Sequence, residues 1–355
     1  MLNERISSAR RYLDSSGVEA IIFLGQPNIR YLTGFTGSDG ALVLGRDNGW
    51  FLTDSRYTTQ ASMEVTGLEV VEYRLKNEGI AALITAELIN KAGFEAEHTT
   101  VSFLQTLSEI MPGVDLIPIG MELDDLRIIK GADELRLLAK SAAIASQAFL
   151  GIMELIRPGV REREIALELE FAMKRGGADE KSFDFIVASG PRGALPHGKA
   201  SDKVIQSGEL VTIDFGAVYG GYCSDETVTV SVGVPDSRQR EIYSIVKVAH
   251  DKALEAVKPG ITLKELDDIA RGFIEEKGYS DYFGHGLGHG VGLEVHEKPT
   301  VSFRSDQTAE EGMVFTIEPG IYIPDWGGVR IEDTVVVTKD GWQMLTRVPK
   351  ELMVL

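Results

Sequence analysis

A chain of 355 residues with a single cysteine, Cys223, cannot form an intrachain disulfide, so oxidative stapling plays no part in its stability. It is also short of cations: 36 lysines and arginines stand against 54 aspartates and glutamates, a formal net charge of -18. That balance repels phosphate backbones and anionic bilayers, which argues against nucleic acid or a membrane surface as a partner. No run approaches the roughly 20 apolar residues of a membrane helix. The opening MLNERISSARRYLDSSG holds no apolar stretch of signal-peptide length. The expectation is a cytoplasmic protein. Its length exceeds the size at which one hydrophobic core stops growing, so two domains are expected.

The first third alternates helix and strand signals. Residues 3–16 carry Ile6, Ala9 and Leu13 at helical spacing and stop at Gly17. Residues 19–25 form a short apolar run that reads as a buried strand. The runs 41–45 and 49–54 flank Arg46-Asp47-Asn48-Gly49, a hairpin signal. Helical patterns follow near 58–65, 78–92 and 101–111. This mixture predicts an α/β domain over 1–124. A second domain, 125–355, begins in a polar connection that runs into a long helix.

That second domain repeats itself. A helical stretch ending in LIRPGV (155–160) leads to a second helix, and REIYSIVKVAHDKALEAVKPGI (240–261) leads to another, with Pro158-Gly159 and Pro259-Gly260 at the same place in each half. The strands recur too. LVTIDFGAVY (210–219) matches MVFTIEPGIY (313–322), which sets Asp214 opposite Glu318. SDETVTV (224–230) matches RIEDTVVV (330–337), which sets Asp225 opposite Glu332. The repeat predicts helices over one face of a curved, mostly antiparallel sheet, with carboxylates from both halves on its concave side.

Strand alternation puts Thr212 with Asp214, Asp225 with Thr227 and Thr229, and Arg330 with Glu332 and Thr334. A lone carboxylate inside an apolar strand is usually salt-bridged or turned to solvent. Four at matched positions repel one another unless a cation joins them, and two divalent ions would balance them. Three of the six histidines, His285, His289 and His296, lie in FGHGLGHGVGLEVHE (283–297). Its glycines disfavour a helix, so extended or loop backbone is expected there.

These residues resemble the Xaa-Pro peptidases: aminopeptidase P, prolidase and, more distantly, methionine aminopeptidase. The pattern is Asp214, Asp225 eleven residues on, His289 in LGHG, Glu318 in TIEPG and Glu332 in RIEDT. The resemblance implies an α+β chain: a duplicated C-terminal pita-bread catalytic domain plus a smaller N-terminal α/β domain of the creatinase type. NIRYLTGFTGSDG (28–40) and TDSRY (53–57) carry the likeness in the smaller domain. It implies two divalent metals, with manganese first and cobalt, zinc or iron as alternatives. Asp225 and Glu332 would bridge them, Asp214 would complete one site, and His289 with Glu318 the other. Two close metals acidify a shared water into a nucleophile near neutral pH. Glu318 would carry its proton, His296 would steady the oxyanion, and His197 would contact substrate. His285, Arg330 and Tyr322 would border the substrate pocket. Proline-containing peptides are the implied substrates and a homodimer the implied assembly.

The pattern departs from the family in two places. Val228 stands where members commonly carry an arginine after the second aspartate; it faces away from Asp225, so a packing difference is expected. Thr300 stands where many prolidases place an arginine that holds a dipeptide's free carboxylate, and Arg304 is near but not matched. This favours an aminopeptidase that removes the residue before proline, with the dipeptidase as the alternative. More remote are a non-catalytic peptide-binding pita-bread module and a creatinase-like amidinohydrolase. Cys223 reads as a small buried side chain.

Overall fold

The computed structural model describes residues 2–355, which divide into two compact units, Met1–Arg127 and Ile128–Leu355. The expected boundary at 124 falls inside a short 3-10 helix, Met121–Arg127, which stays with the first unit.

The first unit is a six-stranded mixed sheet flanked by helices. Its strand order is Glu69–Glu72, Gly49–Thr53, Ala41–Gly45, Ala20–Phe23, Lys91–Glu95 and Asp115–Ile119. The hairpin forms as expected, with Leu44 opposite Gly49, and the first helix, Leu2–Ser16, ends at Gly17 with φ 61°. The expected helix over 78–92 is shorter: Lys76–Ala86 is helical, Leu88 turns the chain at φ 56°, and Lys91–Glu95 is a central strand. Its glycine and its single buried aromatic, Phe94, gave little strand signal. Helix Gln26–Thr33 and the outer strands Glu69–Glu72 and Asp115–Ile119 were not expected.

The second unit is built twice. Helices Ala132–Ile152 and Glu162–Arg175 pack on strands Ile186–Ser189, Glu209–Phe215 and Glu226–Val232. Helices Ser237–Ala256 and Leu263–Glu276 pack on Gly288–Gly290, Val314–Ile317 and Asp333–Thr338. Each half has its own core, Phe149, Val211, Ile213 and Val230 in the first, Val246, Leu266, Phe315 and Val335 in the second. The correspondence extends to single hydrogen bonds. Gly159 N donates to Ile205 O (3.0 Å) and Gly260 N to Ala309 O (2.9 Å), both glycines at positive φ (93° and 89°) that a side chain would strain. The helix Ala132–Ile152, continued to Leu155, is apolar and long enough to cross a bilayer, which the sequence reading overlooked. Because 56% of its most apolar 18-residue stretch is buried, its apolarity is that of a core helix.

The expected continuous curved sheet is instead four antiparallel sheets among the described residues. The two halves meet along a seam stitched by threonine hydroxyls. Thr229 Oγ1 donates to Arg330 O (2.9 Å), Thr334 Oγ1 donates to Asp225 O (2.7 Å), and Glu332 N donates to Thr227 O (3.1 Å). Val228 faces the first core, as expected, at 2% exposure.

Candidate metal centre

Asp214 lies near the end of strand Glu209–Phe215, opposite Thr227. Asp225 immediately precedes strand Glu226–Val232, Glu318 follows Val314–Ile317, and Glu332 sits between Gly327–Arg330 and Asp333–Thr338. All four carboxylates therefore leave strand ends along the seam. His289 is the central residue of Gly288–Gly290, so the glycine-rich segment is extended there, as expected. A Cβ on Gly288 would lie 2.0 Å from Thr316 O, and one on Gly290 would lie 2.2 Å from Lys298 O. Only glycine lets this strand run so close to its neighbours with the histidine between them.

The five residues line one cavity of about 1170 Å³, together with His197, His285, His296, Tyr322 and Arg330. Asp225, His289 and Glu332 form the tightest group, with ligand-type atoms all within 4.8 Å of one another. His289 Nε2 lies 3.3 Å from Glu318 Oε1 and 3.6 Å from Asp225 Oδ2. Its Nδ1 lies 3.1 Å from Gly290 O. With Nδ1–H donating to that carbonyl, Nε2 keeps its lone pair toward the carboxylates, the arrangement of a metal-binding imidazole.

One oxygen on each of three of these carboxylates is left unpaired. Asp214 Oδ1, Asp225 Oδ1 and Glu332 Oε1 are buried without a hydrogen-bond partner. Burial, followed by the charge of Glu332, pushes Asp225 well above the usual carboxylate range. Burial and the charge of Glu318 do the same to Glu332, and burial raises Glu318. Orphaned, mutually repelling oxygens beside an imidazole lone pair are what hard divalent cations satisfy. The donor set fits such ions.

A second layer orients the first. Arg330, 3% exposed, donates from Nη2 to Asp214 Oδ2 (2.5 Å), from Nε to Thr227 Oγ1 (3.1 Å), and from Nη1 to Pro196 O (3.1 Å) and Tyr322 OH (3.0 Å). Thr227, having accepted from Arg330, donates to Glu332 Oε2 at 2.6 Å. Tyr322, likewise an acceptor, directs its own hydrogen to His285 Nε2 (3.0 Å), and His285 Nδ1 lies 2.7 Å from Gly286 O. The polar valences of His285, Tyr322 and Arg330 are thus engaged with one another and with Asp214. His285 is lowered by burial. His296, lowered to about 4 by burial and the neighbouring His289, is neutral at physiological pH, its ring centroid 4.2 Å from that of His289. His197 is exposed at the cavity wall.

Three supports escaped the sequence reading. Thr227 was placed on the correct face but given no role. Asp267 and Arg271, an i,i+4 pair, hold the histidine loop: Asp267 Oδ1 accepts from Leu287 N (2.9 Å), and Arg271 Nη2 donates to His285 O (2.7 Å). Lys350 lies behind the seam. Its Nζ is 2.6 Å from Glu226 Oε1 and 3.3 Å from Asp333 Oδ1, the residues next to Asp225 and Glu332. Cys223 is buried and its thiol is pushed up to about 12 by burial, in keeping with a structural role.

Comparison with known proteins places these features among relatives. Residues 136–339 match the model of metallopeptidase family M24, and residues 5–129 match the creatinase/prolidase N-terminal domain. A protein of Pyrococcus horikoshii named Xaa-Pro dipeptidase is 42% identical, over 99% of each chain. The solved structure of an Xaa-Pro dipeptidase from Bacillus anthracis is 45% identical with TM-score 0.98, covering 100% of both chains. That of an X-Pro aminopeptidase from Thermotoga maritima is 39% identical with TM-score 0.91, covering 99% of both.

Proposed function

The chain belongs to metallopeptidase family M24, and we propose that within it this protein is an Xaa-Pro dipeptidase with two divalent ions held by Asp214, Asp225, His289, Glu318 and Glu332. The family resemblance read from the sequence holds: the chain is a metal-dependent exopeptidase with a pita-bread catalytic unit and a creatinase-type N-terminal domain. Relatives of the dipeptidase kind support that alternative better than the aminopeptidase first expected. The observation that carries the metal assignment is the orphaned oxygens of Asp225 and Glu332 beside His289, with that of Asp214 in the same cavity.

Bound metals would supply Lewis-acid polarisation of the scissile carbonyl and an acidified water. The chain's own residues do the rest. Glu318, oriented by Thr316 Oγ1 at 3.3 Å, accepts the water's proton and returns it to the departing nitrogen. That return matters because the nitrogen of an Xaa-Pro bond bears no hydrogen. His296, neutral beside His289, donates to the developing oxyanion, a contact typically worth about 2.7–4 kcal/mol. His197 approaches substrate from the exposed wall. Arg330 and Tyr322 act as positioning residues through Asp214 and His285.

The test is hydrolysis of Ala-Pro against Ala-Pro-Ala by preparations loaded separately with manganese, cobalt, zinc or iron. Release of alanine from Ala-Pro is expected. Cleavage of the longer peptide alone would replace the dipeptidase with the aminopeptidase, a reading that Thr300 and the Thermotoga relative favour. The proposal extends to manganese as the metal and to a cytoplasmic homodimer, supported by the family resemblance and, for the compartment, by a lone buried cysteine.

A further inference from the structure

The glycine-rich segment 283–297 ends in Glu297, which the metal centre does not use, and His296 beside it has little of its own to hold it. His296 is exposed in the cavity. Its ring meets that of His289, with centroids 4.2 Å apart, and among the described residues no hydrogen bond orients it. Its direction is therefore set by the loop that bears it.

That loop, residues 291–296, joins strands Gly288–Gly290 and Glu297–Val301. The Glu297 carboxylate fills its interior. A Cβ on Gly292 would lie 2.2 Å from Glu297 Oε1, so glycine there makes the room. Glu297 Oε2 accepts from Glu294 N (3.3 Å), which closes the loop on itself. Lys130 Nζ donates to Oε1 at 2.7 Å, and the two side chains are only 1% and 3% exposed. Charges so buried depend on each other. Lys130 is fixed in turn: its Nζ also donates to Ile128 O (3.3 Å), its N donates to Gly312 O (2.9 Å), and Ile129 pairs with Met313. Met313 leads directly into strand Val314–Ile317, which Glu318 follows. The ion pair thus ties the loop bearing His296 to the strand that presents Glu318.

We infer that Lys130 and Glu297 are positioning residues for catalysis, a buried ion pair that fixes this loop so that His296 is aimed at the developing oxyanion. Neither residue lines the cavity, so both act through His296. The inference rests on the oxyanion role proposed for His296 and says what holds it in place. A misplacement of about 1 Å in such a group costs about a hundredfold in rate.

The test is a double-mutant cycle on the metal-loaded enzyme with Ala-Pro and Ala-Pro-Ala as substrates. K130M and E297Q are made alone and each together with H296A. H296A should lower kcat about a hundred- to a thousandfold, as loss of one oxyanion donor does. K130M should lower kcat about ten- to a hundredfold, leave KM within about twofold, and add less than about twofold to the loss in H296A. E297Q is the milder variant, because its amide offers one acceptor oxygen in place of two. It should lose about three- to tenfold, the worth of one hydrogen bond, and be equally silent in H296A. Combining K130M with E297Q removes the stranded charge while an amide oxygen still takes Glu294 N, so part of the K130M loss should return. A second readout is the His296 imidazole resonance of metal-free protein, which K130M should shift and K130M/E297Q should bring back toward wild type. Losses by K130M and H296A that multiply, a lowered melting temperature with wild-type kcat, or an unmoved resonance would overturn the inference. If K130M does not fold, E297Q decides by the same criteria, and the resonance decides even if neither peptide is cleaved. An H296A enzyme with unchanged kcat refutes the oxyanion reading, and this role with it. H296A slowed while K130M and E297Q are not refutes the positioning role alone.

Discussion

Replacing Lys350 by methionine should destabilise the second unit more than any other single truncation at the seam. The Lys350 side chain is 6% exposed, and both carboxylates it serves, Glu226 and Asp333, are at 0%. Each is tied to a helix of its own half: Glu226 Oε2 accepts from Ser146 Oγ (2.6 Å), and Asp333 Oδ2 lies 3.3 Å from His250 Nε2. The second contact is close enough for charge but not aligned as a hydrogen bond, since both atoms lack one. Lys350 is therefore the main cation joining the halves from behind. Burial opposes its charge, but Asp333 and Glu226 outweigh burial and raise it. Asp333 is lowered although burial opposes this, chiefly by Lys350. Methionine keeps the length and removes the charge, leaving Asp333 with only His250 for a cation and Glu226 with only the neutral donors Ser146 and Val348 N. Breaking a buried pair from one side costs about 3–5 kcal/mol. A fold stable by about 5–15 kcal/mol would lose a large share of that. The assay is urea denaturation of metal-free protein at pH 7 in a W50F background, where fluorescence comes from Trp326 and Trp342 of the second unit. Adding E226Q to K350M should return part of the loss, because it removes one of the stranded charges. A K350M cost below about 1 kcal/mol, or strict additivity of the two substitutions, would refute the reasoning.

Further outcomes follow from the same geometry. T227V should lower metal affinity roughly fivefold, the worth of about one hydrogen bond to Glu332 Oε2, with calorimetric titration as the check. G288A should fail to bind metal stoichiometrically, since its Cβ would sit 2.0 Å from Thr316 O and displace His289; a full complement of metal by elemental analysis would contradict this. Chelation should lower the melting temperature, because the ions bind only the folded arrangement of carboxylates, and scanning calorimetry with and without chelator measures it. His296, depressed from 6.5 to about 4, contributes stability that is whole above pH 6.5 and is lost as pH falls toward 4, where the unfolded chain takes up a proton that the folded one refuses. Imidazole resonances of the metal-free protein should show His296 neutral at pH 5, and a midpoint near 6.5 would contradict this.

The sequence by itself singled out the acidic residues that the structure gathers in one cavity. Acidic residues recur at matched positions in two strand pairs, and a charge inside an apolar strand has few physical excuses, so alternation and duplication were enough to single out Asp214, Asp225, Glu318 and Glu332. Glycines spaced around His289 excluded a helix for the same local reason: no backbone with that composition holds one. The α/β character of the first unit was legible wherever a strand was apolar. It was lost at Lys91–Glu95, whose glycine and charges disguise a central strand. What tertiary structure decided were the partnerships between residues distant in sequence. Whether Tyr322 turns to solvent or to His285, and whether Asp333 is stranded or held by Lys350, depend on where chain segments converge. Hydrogen-bond valence and burial exist only once that convergence is made. For that reason the seam carboxylates could be read from a period of two, while the contacts that orient them could not.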